Sequence, residues 1–252
     1  MAELDEVVSF MDRELRVAEI PDYPGAINGL QLANRSGKIH RVIAAVDASL
    51  CVITAAASVP ESLLIVHHGM FWQGAKPITG ALFKKLKIAM DADLAIYSSH
   101  LPLDVHPQWG NNAGLAAAIC LEAPKPFFDY KGLLIGLRGR WNGSRSDLAG
   151  CLARAVGGAV HLCPGGPERV ESLGIITGGA GSEVEKIAAL GLDTFITGEG
   201  PHWSYPLAEE LGVNLFYAGH YATETFGVRE LSRILAEEFG LDARFVDRPS
   251  GL

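Results

Sequence analysis

Two adjacent histidines, His67 and His68, follow the apolar run Leu63-Leu64-Ile65-Val66 and precede Gly69. A run of that kind predicts a buried strand, and the carboxyl ends of such strands are where open α/β sheets place their ligand crevice. Three more residues with ligand chemistry fall at comparable positions. Asp104 lies just beyond Leu94 to Ser98, and His220 and Glu224 lie just beyond Val213 to Ala218. The four-residue spacing of His220 and Glu224 places both side chains on one side of a helical turn. Imidazole nitrogen suits borderline divalent ions such as Zn, Fe, Mn, Co or Ni, and carboxylates bridge two ions and offset their repulsion. Three histidines and two carboxylates exceed what one catalytic zinc takes, which is about three protein ligands and an open position. The set His67, His68, Asp104, His220 and Glu224 therefore predicts two divalent ions about 3.5–4 Å apart.

Other polar residues lie close to these in sequence. His100 precedes Asp104 as His220 precedes Glu224, so it is either a ligand equivalent or, the reading adopted, a residue that orients Asp104 or a bound water. His202, after Thr197-Gly198-Glu199-Gly200-Pro201, is either a mobile acid/base or substrate contact, or an exposed loop histidine. His100 and His202 are thus the candidate proton carriers. Glu199 is either a third carboxylate near the ions or a helix-capping anion. Gly178-Gly179-Ala180-Gly181 lacks the lysine of a phosphate loop and the full dinucleotide fingerprint, so a tight strand-to-helix turn is expected there. Ser49, Ser144 and Ser182 have no nucleophile-elbow context, which leaves covalent catalysis without support.

Placing these residues requires alternating strands and helices. Residues 3–18 read as an amphipathic helix, ended by Pro21-Asp22-Tyr23-Pro24-Gly25. Strand 41–46 leads to Asp47 or Ser49 as the cap of a helix reaching residue 58; strand 62–66, helix 78–90 and strand 94–98 follow. Residues 107–169 are less regular: a helix near 112–119, punctuation at Pro124 and Pro126, then strand, helix and strand pieces, which together read as the connection between two halves. The alternation returns with strand 173–177, a helix to residue 190, strand 194–197, helix 205–211, strand 213–218 and helix 224–239. Asp47 precedes His67 by 20 positions, as Gly178 precedes Gly198, and both third strands end in an aromatic, two small residues, His, three residues and a carboxylate. The expected fold is α/β: two related lobes with mixed, largely parallel sheets and a dinuclear site in the cleft between them. The halves are 1–106 and 170–252, joined by 107–169 with no inserted domain.

Composition narrows the function. A net charge of −8 argues against a large nucleic-acid surface, and Lys84-Lys85-Leu86-Lys87 reads as a solvated helix face. Cys51, Cys120, Cys151 and Cys163 have no CxxC spacing, so they read as ordinary thiols rather than zinc-finger ligands or a disulfide framework. With no signal-peptide pattern and no apolar run of about 20 residues, neither secretion nor a membrane span is expected, and cytoplasm is the expected compartment.

The blocks His67-His68, His100-x-x-x-Asp104, Thr197-Gly198-Glu199 and Gly219-His220-Tyr221-Ala222-Thr223-Glu224 resemble those of the NIF-three-like family, the dinuclear metal-centre hexameric proteins often labelled GTP cyclohydrolase I type 2-like. Asn28-Gly29-Leu30-Gln31 resembles its N-terminal block, although Ala26-Ile27 replace the usual Trp-Asp. The resemblance covers most of the chain. It implies the same five metal ligands, two α/β lobes, a toroidal homohexamer with sites facing an inner cavity, and a nucleotide or related small molecule as substrate. Together with the residue chemistry it suggests a metal-dependent hydrolase that uses metal-activated water. A non-catalytic metal-binding, trafficking or partner-binding scaffold is the competing expectation.

Overall fold

The computed structural model describes residues 1–74 and 76–252, and these fall into two units. Unit 1 is Met1–Leu103 with Gly227–Arg248, and unit 2 is Asp104–Phe226 with Pro249–Leu252.

The chain begins with β1 (Ala2–Glu3), α1 (Leu4–Glu14), β2 (Gly29–Leu32) and β3 (Lys38–Ile39). Helix α1 buries Leu4, Val7 and Met11 along one face, the spacing that an amphipathic helix requires. It ends before the residue-18 limit predicted from periodicity, where Arg16 takes a left-handed φ of 53°, a conformation that no α-helix continues through. Next come β4 (Arg41–Asp47), α2 (Leu50–Ala56), β5 (Ser62–His68), α3 (Gly80–Asp91) and β6 (Ala95–Ser98). These match the expected series. Strands β4, β5 and β6 pair in parallel, with Asp47 opposite His68 and Val66 opposite Ser98. Their apolar runs are continuous because both faces of a parallel sheet are covered, and Val42, Ile43, Leu64, Ile65 and Ile96 are fully or almost fully buried.

The short α4 (Leu101–Asp104) carries the chain into unit 2. The segment read as a connection has the helix expected near 112–119 and the strand and helix pieces expected after it. It forms α5 (Asn111–Ala118), β7 (Glu122–Tyr130), β8 (Leu133–Ser144), α6 (Arg145–Val156) and β9 (His161–Pro164), followed by β10 (Arg169–Ile175). The capping box of Ser144 and Asp147 starts α6, and Gly157 in the left-handed region stops it, as that residue pattern dictates. After a 3-10 turn at Gly181–Glu183 come α7 (Val184–Ala189), β11 (Thr194–Thr197), α8 (Ser204–Glu210), β12 (Asn214–Tyr217) and α9 (His220–Thr223). The sheet order is β7-β8-β10-β11-β12-β9. Only its centre, β10-β11-β12, is parallel; β7, β8 and β9 pair antiparallel. One face packs Leu115, Leu148 and Leu152 against Ile196 and Phe216; the other packs Val184, Ile187 and Ala208 against Phe195 and Leu215.

The chain then returns to unit 1 with α10 (Thr225–Phe239) and β13 (Asp242–Phe245). Strand β13 adds to β4 in parallel, which completes the order β13-β4-β5-β6-β2. The partition thus differs from the expected halves: residues 107–169 belong to unit 2, and most of the last helix belongs to unit 1. Among the described residues, no helix is long and apolar enough to cross a membrane.

Candidate functional site

In unit 1 the parallel register brings three strand ends side by side. His67 is completely buried, and its Nδ1–H donates to the Ser99 carbonyl at 2.9 Å. His68 Nδ1–H donates to Asp47 Oδ1 at 2.9 Å, across the register pair that closes β4 and β5. His100 Nδ1–H donates to Asp22 Oδ1 at 2.9 Å. The three imidazoles cluster, with ring centroids 4.8 Å (His67 to His68) and 4.9 Å (His67 to His100) apart. One ring nitrogen from each lies within 4.8 Å of the others, a spacing at which they can share an ion. His100, read from sequence as an orienting residue, therefore stands among the candidate ligands themselves.

The residues that aim these rings were mostly not singled out from sequence. Asp22 lies in the turn read only as a helix breaker, yet its Oδ2 accepts from Asn28 Nδ2 and from Leu101 N–H at 2.8 and 2.9 Å. Burial raises the Asp22 carboxyl, but the His100 hydrogen bond and charge, the Asn28 amide and the Tyr23 N–H outweigh it and hold the group below its usual range. Asn28 also accepts the His100 N–H at 2.8 Å. Gln31 accepts from Met70 N–H at 2.8 Å and donates to the Ile27 carbonyl at 2.9 Å. A Cβ on Gly69 would collide with the Gln31 amide, so the glycine is needed where the two segments meet. The Asn28-Gly29-Leu30-Gln31 block thus fixes the backbone around the histidines. Ser49, not Asp47, caps α2 by accepting from Val52 N–H, and Asp47 is left to orient His68.

In unit 2, His220 and Glu224 sit at the two ends of the α9 turn, with His220 Nε2 3.2 Å from Glu224 Oε1. His220 Nδ1–H donates to Glu199 Oε1 at 2.8 Å, so Glu199 orients His220 rather than capping a helix. Burial lowers the imidazole pKa, but Glu224 and then Glu199 outweigh it and push it up to about 9. Glu224 is only 3% exposed. The glycines explain how it fits. Gly178 has φ +72°, and a Cβ there would collide with Glu224 Oε1; a Cβ on Gly198 would lie 2.5 Å from the His220 Cα. The carbonyl of Gly178 accepts from the N–H groups of Gly198 and Glu199 at 2.8 and 3.0 Å, which ties the end of β10 to the end of β11; the tight strand-to-helix turn expected here is the bend at Gly178 and Gly179 that runs into the 3-10 turn Gly181–Glu183. Asp104 is buried at the end of α4; its Oδ1 accepts from Asn111 Nδ2 at 2.8 Å and from Thr177 Oγ1 at 3.5 Å.

His202 is exposed and joins neither group. It lines a separate cavity of about 360 Å³ with His161, Tyr205 and Tyr217.

The donor chemistry fits a divalent cation. In His67, His68, His100 and His220 the Nδ1 is engaged by a carbonyl or carboxylate at 2.8–2.9 Å. A ring held at Nδ1 in this way turns Nε2 toward an ion, the arrangement seen behind metal-ligating histidines; at His220 an ion would take the place of the proton that Nε2 shares with Glu224. Buried carboxylates in unit 2 bring the negative charge that a cation offsets.

The model of the Duf34/NIF3 (NGG1p interacting factor 3) family matches residues 2–249. The chain is 39% identical to the GTP cyclohydrolase 1 type 2 homolog of Deinococcus radiodurans, over 98% of this chain and 94% of that protein. It is also 39% identical to the Pyrococcus horikoshii homolog of the same name, over 98% and 99%. Among solved structures, TTHA1606 from Thermus thermophilus superposes with a TM-score of 0.91 at 34% identity, covering 100% of both chains. Reduced HcgD from Methanocaldococcus jannaschii gives 0.85 at 29% identity, covering 98% of both. The fold, the strand-end blocks and the full-length matches agree that this chain belongs to the Duf34/NIF3 family.

Proposed function

We propose that the chain is a metal-dependent hydrolase in which His67, His68, Asp104, His220 and Glu224 hold two divalent ions, from Zn, Fe, Mn, Co or Ni, and act on a nucleotide or related small molecule. The observation that carries this reading is the common orientation of the three histidines of the set, His67, His68 and His220, each with Nδ1 tied back, which leaves Nε2 as the coordinating atom. Bound ions of this kind lower the pKa of water toward neutrality and polarise the bond to be cleaved. The chain's own residues do the rest. Asp47 and the Ser99 carbonyl keep His68 and His67 in the ligating tautomer, and Glu199 does the same for His220. His100, held by Asp22, is the candidate to take up and return a proton; its Nε2 is then the atom that carries it. His202 is the second candidate, as a mobile contact. The substrate class rests on the names of the relatives and on nothing more. We further propose the toroidal homohexamer that the family resemblance implies; native mass spectrometry of the purified protein is its test.

The test of the activity is direct. Metal analysis of the purified protein is expected to give two equivalents per chain. Reconstitution with each metal is expected to support release of product from a panel of nucleotides and phosphoesters, and His67→Ala is expected to abolish it. A second reading, a metal-holding scaffold without turnover, draws on the burial of His67 and Glu224, which suits retention. Tight stoichiometric metal with no turnover on any panel member selects the scaffold.

A further inference from the structure

A tight turn needs only glycines and its own backbone, yet the 177–181 turn that follows β10 is held from outside by three buried side chains of unit 2. Asn112, Thr197 and Thr223 are each at most 2% exposed. Asn112 Oδ1 accepts from Thr177 N–H at 3.1 Å, Thr223 Oγ1 from Gly178 N–H at 3.1 Å and Thr197 Oγ1 from Ala180 N–H at 3.0 Å. All three N–H groups belong to buried residues, where an unmet donor is costly.

The same side chains reach onward with their own donors. Asn112 Nδ2 donates to the Asp104 carbonyl, Thr223 Oγ1–H to the His220 carbonyl and Thr197 Oγ1–H to the Gly178 carbonyl, each at 3.0 Å. What lies at the far ends is the candidate ligand set of unit 2. Asn112 holds the backbone of Asp104, and the Thr177 hydroxyl reaches its carboxyl at 3.5 Å. Thr223 holds the backbone of His220 and immediately precedes Glu224. The Gly178 carbonyl fixed by Thr197 also takes the Glu199 N–H at 3.0 Å, and Gly181 N–H returns to the Glu199 carbonyl at 3.0 Å. Glu224 is placed by contact, since a Cβ on Gly178 would lie within 2.3 Å of its Oε1. Asp104 and Glu224 stand at opposite ends of the unit 2 sequence, and this turn is tied to both.

Valine would fill nearly the same space as threonine in such a core. A methyl packs at many angles, whereas a hydrogen bond fixes both the distance and the direction of its partner. Metal ligands need that precision, because coordination distances hold to about 0.2 Å. We propose that Asn112, Thr197 and Thr223 are positioning residues of the unit 2 ligand set: through the 177–181 turn they hold Asp104, His220 and Glu224 at the mutual spacing that a divalent ion requires. The proposal rests on the metal-binding reading of these three ligands and adds what sets their spacing.

Cobalt(II) tests it, since its visible absorption reports ligand geometry and chelator competition reports its affinity. Thr223→Val and Thr197→Val are each expected to weaken cobalt binding at least tenfold and to change the visible spectrum. Thr223→Ser, which keeps the hydroxyl, is expected to restore both. Thr194→Val is the control. Thr194 is equally buried but starts β11, and its hydroxyl donates to Asp193 at 2.7 Å; its replacement is expected to leave affinity and spectrum unchanged, whatever happens to the melting temperature. Valine variants that lose melting temperature but keep wild-type affinity and spectrum overturn the positioning role, as does an equal loss in Thr194→Val. Amide exchange in the metal-free wild type gives a measure that survives if a variant does not fold. The Gly178 and Ala180 N–H groups are expected to exchange slowly, and rapid exchange of both in the folded protein overturns the proposal. The two readings fail separately: a wild type that binds no cobalt removes the metal reading and the proposal with it, whereas cobalt held equally by wild type and both valine variants removes the proposal alone.

Discussion

The two units build candidate ligand sets on the same plan and with different donors. In each, three consecutive strands run parallel and the third leads into a four-residue helical turn, Leu101–Asp104 in unit 1's case and His220–Thr223 in unit 2. Unit 1 gathers three imidazoles, whose orientation is fixed by Asp22, Asp47 and a backbone carbonyl. Unit 2 gathers one imidazole with Glu224 and Glu199, and separately the buried carboxylate of Asp104. Imidazoles have to be aimed by acceptors behind them, whereas carboxylates are expensive to bury. The supporting residues differ accordingly: acceptors behind each ring in unit 1, and in unit 2 glycines that clear space for Glu224 and His220.

The largest effects are expected where a ligand is removed. His67→Ala in unit 1 and Glu224→Ala in unit 2 are each expected to lower bound metal from two equivalents to one or none by elemental analysis; full retention in either variant removes that unit from the site. The orienting residues come next. Asp22→Asn and Glu199→Gln are each expected to weaken metal binding about 10- to 100-fold, measured by chelator competition. Asp22 is 6% exposed and holds three other groups besides His100. Its replacement is therefore expected to cost about 1–3 kcal/mol of stability as well. Glu199 is 42% exposed, so its replacement is expected to leave the melting temperature nearly unchanged. Equal melting temperatures for the two variants break the comparison. The smallest effect sharpens it. Gly157→Ala, at φ +66° in open space, is expected to cost only the left-handed penalty of about 1–2 kcal/mol. Gly178→Ala, at nearly the same φ but against Glu224, is expected to cost more and to lose metal, which urea titration with metal analysis resolves.

The candidate site is legible in the sequence because ligand-type residues at strand ends leave a local mark: an apolar run, then His or a carboxylate. His67, His68, Asp104, His220 and Glu224 all carry it. Asp22 and Asn28 do not, since their partner His100 lies more than 70 positions away and nothing local distinguishes a turn aspartate that aims a histidine from one that only breaks a helix. The strand bounds in 107–169, and the place of these strands in the unit 2 sheet, are less legible for a different reason. In β8, Gly136, Gly139 and Gly143 alternate with Arg138, Arg140 and Trp141, which gives little hydrophobic signal. Its strand character comes from antiparallel pairing with β7 and β10, and at Gly136 and Gly139 a side chain would strike Phe127 and the Glu122 carbonyl. The last helix was assigned by sequence proximity, whereas its allegiance is set by contacts such as Phe239 against Phe10 at 5.5 Å.

The return of the chain to unit 1 also orders events during synthesis. Strand β4 pairs on one side with β5, about twenty residues on, and on the other with β13, where Asp242 meets Arg41 across 201 positions. Every strand of the unit 2 sheet has emerged by Tyr217, while unit 1 still presents β4 as an open, apolar edge of the sort that recruits foreign strands. A nascent chain halted before Asp242 is thus aggregation-prone through the unit begun first, and the sheet begun last is the one that is complete early.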